Sequence, residues 1–189
     1  MPDGYARARG TDILNLPNVI TFARLCAVPV AIWLTLRGQL ALTFAIFAAA
    51  GISDAIDGWL ARRRGGSALG AMLDPLADKA LLVSMFITLA IIGVLPDWLA
   101  ILAVFRDLVI IAGLIVMWQL AIPVRIRPLP ISKLNTALQL VLVAAALLVR
   151  GFDVPRLEPL LVGLIWAVTA TTLLSGAAYV WKAGRGTFR

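Results

Sequence analysis

Apolar residues run along this chain in six long stretches, separated by short polar or glycine- and proline-containing segments. The stretches are continuous and do not alternate, which predicts helices rather than strands. The first covers residues 19–36, with Pro29 placed to kink it. The second covers 39–62, the third 70–94 and the fourth 97–120. The fifth covers 132–149, with Ser132 as its expected N-cap, and the sixth 159–181. Residues 12–18 (DILNLPN) read as a short interfacial helix or turn that ends at Pro17. The expected connections include a basic loop at 63–69, a proline-rich basic loop at 121–131 and a polar loop at 150–158. Runs of about 20 apolar residues match a hydrocarbon layer about 30 Å thick. Six such spans bring both termini to one side.

Composition sharpens this reading. The chain has 189 residues, 61% of them hydrophobic and 14% charged, with a mean hydropathy of +0.96. Disorder is excluded, and an all-α integral membrane protein of six transmembrane helices is expected. The net charge is +7. In a soluble protein that would suggest nucleic acid, but no motif pairs the basic residues with aromatic ones, so nucleic acid is not expected as a partner. The charge instead reports topology and anionic lipid. Of the 17 lysines and arginines, 13 fall on the side of the N-terminus, three on the other side, and Arg106 lies within a span. Positive charge collects on the cytoplasmic side, so both termini are expected there. Trp33, Trp98, Trp166 and Trp181 sit near span ends as interfacial anchors. The single cysteine, Cys26, reads as a small buried hydrophobe and forms no internal disulfide. Residues 1–12 are polar and no small-residue cleavage site follows closely, so the first span is expected to be an uncleaved anchor. With no histidine present, acid–base chemistry falls to carboxylates.

Four of the ten acidic residues, Asp54, Asp57, Asp74 and Asp78, lie where the second and third spans meet. Carboxylates beside hydrocarbon are costly, and by default mark function. Asp54 and Asp57 are three apart and share a helix face; Asp74 and Asp78 are four apart and share another. A hairpin of these two helices is expected to bring the pairs face to face. Four carboxylates in low dielectric repel unless protonated or bridged by a cation. All-oxygen ligation suits Mg²⁺, Mn²⁺ or Ca²⁺, and two divalent ions are the economical solution. Gly58, Ala61 and Gly70 continue the same surface. Their small size admits a phosphate chain to the backbone or serves close helix packing. Arg62 either grips a diphosphate or adds one more cytoplasmic charge.

This stretch resembles the signature of the CDP-alcohol phosphatidyltransferase family, DxxDGxxAR followed by a spacer and GxxxDxxxD. Asp54, Asp57, Gly58, Ala61, Arg62, Gly70, Asp74 and Asp78 match all eight positions. The spacer of seven residues is about one shorter than usual, which bears on loop shape alone. The resemblance implies a six-helix membrane fold, commonly homodimeric, with two divalent cations, Mg²⁺ or Mn²⁺. It implies metal ligation by Asp54, Asp57 and Asp74. Asp78 is implied as general base and further ligand. A CDP-lipid pocket lined by Gly58, Ala61, Arg62 and Gly70 also follows from it. Its division of the chain is a polar segment with interfacial helix at 1–18, a six-helix transmembrane catalytic domain at 19–182 and a basic tail at 183–189.

Outside the motif, Asn18, Thr21 and Arg24 are expected to face the active site, with Asn18 and Thr21 binding the CDP-lipid. Arg106, Ser132 and Lys133 are expected to bind the acceptor's phosphate. Arg106 and Asp107 are adjacent, and are not expected to face each other on a helix. Asn135, Thr136 and Gln139 are further unusual polar groups in the fifth span. The wording of AAAGISDAIDGWLAR, SALGAMLDPLADKALL, the FRD at 105–107 and PISKLNTALQLVLVAAALL looks most like the CMP-forming, mitochondrial-type cardiolipin synthases, which also occur in bacteria. That resemblance implies CDP-diacylglycerol and phosphatidylglycerol as substrates, at the cytoplasmic face of a bacterial inner membrane. Phosphatidylglycerophosphate synthases, which use glycerol 3-phosphate, share the motif and are the nearest alternative. A non-catalytic protein that binds divalent cations would explain the aspartates, but not the glycines, alanine and arginine at these spacings.

Overall fold

A computed structural model describes residues 16–64, 68–119 and 130–184; for 16–21, 54–64, 68–78, 114–118, 180 and 182–184 only the backbone path is described. The described residues form six α-helices and one short 3₁₀ turn, with no strand. The helices are α1 (Leu16–Leu36), α2 (Leu40–Arg64), α3 (Ala68–Ile91), α4 (Asp97–Gln119), α5 (Pro130–Gly151) and α6 (Glu158–Gly184). The 3₁₀ turn, Pro155–Leu157, leads into α6.

Several helix ends differ from the sequence expectation. α1 begins at Leu16 and carries Pro17 in its first turn. Proline is accepted there because the first turn's N–H groups have no intrahelical partner; most of the interfacial segment expected at 12–18 lies outside the described residues. α5 begins at Pro130 for the same reason, which puts Ser132 inside its first turn rather than at the cap. The basic loop is shorter than expected, since α2 continues through Arg64 and α3 has begun by Ala68.

Three tight turns reverse the chain by one device. After α1, Gly38 adopts φ 73°; its N–H donates to Thr35 O, and Gln39 N–H donates to Leu34 O. After α3, Gly93 at φ 72° repeats the pattern with Ala90 and Leu89. These left-handed caps satisfy the last carbonyls of each helix. After α5 the same place is held by Asp153 at φ 52°, with Val154 N–H donating to Val149 O. All three turns gather at one end of the molecule. Gly151 lies so close to the start of α2 that a Cβ there would meet Ala41 N at 2.7 Å. Phe44 meets Phe152 edge-on at 5.9 Å, and Trp98 lies 6.0 Å from Trp166.

The helices close a ring in the order α1, α2, α5, α6, α4, α3 and back to α1, and α3 also reaches across to α5. α3 supplies much of the core. Met85, Phe86 and Leu89 are essentially inaccessible, and pack in one cluster with Leu99 and Ala103 of α4 and Leu142, Val143, Ala146 and Leu147 of α5. The outward surface also carries many large apolar side chains. Phe22, Trp33, Ile101, Phe105 and Trp166 are each more than half exposed. Cys26 also faces outward, correcting the buried placement expected for it; the buried stripe of α1 passes through Arg24, Val28, Ala31 and Thr35 instead. Among the described residues, Pro130–Gly151 and Pro155–Tyr179 are long and apolar enough to cross a membrane. Phe22–Leu36, Leu40–Ser53 and Lys79–Ile91 are shorter apolar segments.

Candidate active site

The end opposite the three tight turns collects the polar residues singled out by sequence. It is built from the first turns of α1, α3 and α5 and the last turns of α2, α4 and α6. Asp54, Asp57, Gly58, Ala61 and Arg62 lie on the helical backbone of α2, and Gly70, Asp74 and Asp78 on that of α3. Asn18 and Thr21 lie on the backbone of α1. The expected meeting of the two aspartate pairs is a matter of side chains outside the described residues. Among the described residues, α2 and α3 each pack on α1 and α5, and no group of three or more potential ligands gathers.

What is described beneath that end is a charged network joining four helices. Asp107 of α4 uses both carboxylate oxygens. Lys79 Nζ of α3 lies 2.6 Å from Oδ2, and Arg106 Nη1 donates to Oδ1 at 2.8 Å. The second terminal nitrogen of Arg106 donates to the Ser132 hydroxyl of α5 at 2.6 Å and to the Ser175 hydroxyl of α6. Arg106 is 5% and Asp107 7% exposed, so the network is sealed, while Lys79 keeps a third of its side chain exposed. The direct Arg106–Asp107 contact corrects the expectation that neighbours on a helix cannot meet. Their Cβ atoms do diverge, but the long arginine stem carries its guanidinium back round to the short carboxylate. Two cations share one anion, so the network keeps one positive charge in excess. Lys79, which contributes to that surplus, directly follows Asp78 in the sequence.

The rest of α5 continues the polar stripe. Asn135 is fully buried and its Oδ1 accepts from Thr171 at 2.8 Å and Thr172 at 2.9 Å on α6. Gln139, one turn further in, is equally buried, and its amide nitrogen has no partner. It lines a small cavity together with Asp107. Arg24 of α1 is also buried, at 3% exposed. Lys133, by contrast, is exposed at the start of α5, next to the Ser132 that Arg106 binds. Sequence reasoning therefore located Arg106, Ser132 and Asn135 as unusual, but missed their partners Ser175, Thr171 and Thr172. Those three share one face of α6, a periodicity visible in TTLLS. It also treated Lys79 only as a cytoplasmic charge.

An apolar helical bundle with an aspartate-rich helix pair and buried cations at one end defines a narrow class, and comparison with known proteins agrees. Residues 14–174 match the CDP-alcohol phosphatidyltransferase family, and the chain belongs to it. Particular relatives divide between two activities. The chain is 35% identical to the chloroplastic CDP-diacylglycerol–glycerol-3-phosphate 3-phosphatidyltransferase 1 of Oryza sativa, over 88% of this chain and 56% of that one. It is 32% identical to the CMP-forming cardiolipin synthase of Rattus norvegicus, over 92% of this chain and 62% of the relative. It is 36% identical to a probable phosphatidylglycerophosphate synthase of Mycobacterium tuberculosis, over 92% and 83%. The chain thus spans only about three fifths of the rice and rat proteins.

Proposed function

We propose that this protein is a CMP-forming cardiolipin synthase, which transfers the phosphatidyl group of CDP-diacylglycerol to phosphatidylglycerol and releases CMP. The transferase chemistry is carried by one observation, that all eight motif positions, Asp54 to Asp78, fall on α2 and α3 at the end of the bundle opposite its tight turns; phosphatidylglycerol as acceptor rests on the likeness to CMP-forming cardiolipin synthases outside that motif. The all-oxygen donor set fits hard divalent cations. Asp54, Asp57, Asp74 and Asp78 would hold two Mg²⁺ or Mn²⁺ ions, which when bound compensate the charge of the diphosphate.

The chain's own groups do the rest. Gly58, Ala61 and Gly70 leave room for the cytidine diphosphate against the backbone, Arg62 pairs with its phosphates, and Asn18 and Thr21 line the approach from α1. Asp78 takes the proton from the acceptor hydroxyl as that oxygen bonds to the phosphorus on the lipid side. The bond from that phosphorus to the CMP oxygen breaks, and CMP leaves with the electron pair. Lys133, exposed beside Ser132, receives the acceptor's phosphate, and Arg106 with Ser132 forms the floor beneath it. The apolar exterior and the charge asymmetry support six transmembrane helices, with this end at the cytoplasmic face of a bacterial inner membrane. A homodimer is proposed on the family's habit.

The second reading, phosphatidylglycerophosphate synthase, is favoured by the fuller coverage of the Mycobacterium relative. Purified protein supplied with CDP-diacylglycerol and Mn²⁺ separates the two. Product formation with phosphatidylglycerol, giving a four-chain lipid, is expected. Product with glycerol 3-phosphate alone would move the assignment to the second reading.

A further inference from the structure

We propose that Lys79 and Asp107 are positioning residues, an interhelical pin that sets the rotation of α3 and so the aim of Asp74 and Asp78. The inference rests on the reading of those aspartates as metal ligands. Lys79 directly follows Asp78. On an α-helix it lies about 100° round from Asp78 and about 140° from Asp74. A residue so placed cannot join the aspartates' face, and a side chain held from outside fixes where that face points. Lys79 is held from outside: its ammonium lies 2.6 Å from Asp107 Oδ2 on α4.

The pin is anchored as well as attached. The other oxygen of Asp107 accepts from Arg106, and Arg106 is tied in turn to Ser132 on α5 and Ser175 on α6. A turn or swing of α3 therefore has to break a buried carboxylate contact backed by three helices. Nothing comparable is needed for packing alone. Below Lys79, α3 is already seated by Leu82, Met85, Phe86 and Leu89. The charge sits only at the turn nearest the acidic motif.

Mn²⁺ binding, followed by electron paramagnetic resonance on the purified protein in micelles, tests this apart from turnover. Lys79→Met removes a positive charge near the aspartates, and by Coulomb's law alone it would tighten binding of a divalent cation. The pin requires the opposite sign: Mn²⁺ affinity falls by about ten-fold, the lower end of the loss typical when a group orienting a ligand is removed. Lys79→Arg, which keeps the pair, binds Mn²⁺ near the wild-type level. Asp107→Asn weakens binding, and the double variant is no weaker than the weaker single one. Lys79→Gln gives the same reading should the methionine variant not fold. Unchanged or tighter Mn²⁺ binding in Lys79→Met or Lys79→Gln would overturn the pin and leave the metal site standing. Wild-type binding that is absent, or unaffected by Asp57→Asn, would overturn both.

Discussion

Asp78 and Arg106 are two charges with different proposed uses. Asp78 is the proposed proton acceptor, so Asp78→Asn is expected to lower kcat by about 10²–10⁴-fold, the usual share of a general base. CDP-lipid binding should persist, because three of the four proposed ligands remain; turnover near the wild-type level would refute the role. Arg106 has a structural duty the sequence did not reveal. Arg106→Ala strips one of two cations from buried Asp107 and leaves the Ser132 and Ser175 hydroxyls without their donor. Breaking a buried pair in this way costs about 3–5 kcal/mol. Denaturant unfolding in micelles should show that loss. A variant of normal stability with only a raised acceptor KM would mean Arg106 serves the ligand alone. Arg106→Lys should not rescue stability, since a point charge cannot reach three partners as the guanidinium fork does.

The helices themselves were legible from apolar periodicity, with ends misplaced by a few residues where proline was read as a stop instead of a start. Pro17 and Pro130 stand in first turns, and placing α5 two residues earlier is what turned Ser132 from a cap into an acceptor for Arg106. The Arg106–Asp107 contact was misread because helix spacing describes Cβ directions, whereas a four-atom stem can curl back. The partners on α6 were hidden because single Ser and Thr residues in a span carry no charge to mark them. The turns depend on backbone as much as side chain. At Gly151, α5 approaches α2 so closely that a Cβ would sit 2.7 Å from Ala41 N, in contact with backbone that cannot swing aside. Gly151→Ala is expected to destabilise the bundle by about 1–3 kcal/mol, as overpacking does. Thermal unfolding checks this, and an unchanged midpoint would contradict so tight a crossing.

At the scale of the whole molecule, the ring of six helices separates two ends with different work. One end is closed by three short reversals and carries Arg37, Arg150 and Arg156, with Arg37 stacked 5.6 Å over Trp33 and Arg150 paired to Glu158 at 2.9 Å. The other holds the aspartate motif and the Lys79–Asp107–Arg106 network. Between them the surface is apolar outside as well as inside, a pattern suited to lipid on the flanks and chemistry at one rim. The acceptor was not legible from the motif, because the motif describes what holds the CDP-lipid and leaves the other substrate to residues outside it, the part proposed for Lys133.

The proposed activity requires that the aspartates of α2 and α3 form one divalent-metal site for CDP-lipid chemistry. It is tested most directly by CMP release from CDP-diacylglycerol, with phosphatidylglycerol as acceptor, in wild type and Asp57→Asn, with Mn²⁺ and with chelator. Wild type with Mn²⁺ is expected to release CMP, and neither chelator-treated protein nor the variant is expected to do so. CMP release that persists in Asp57→Asn or in chelator would contradict it.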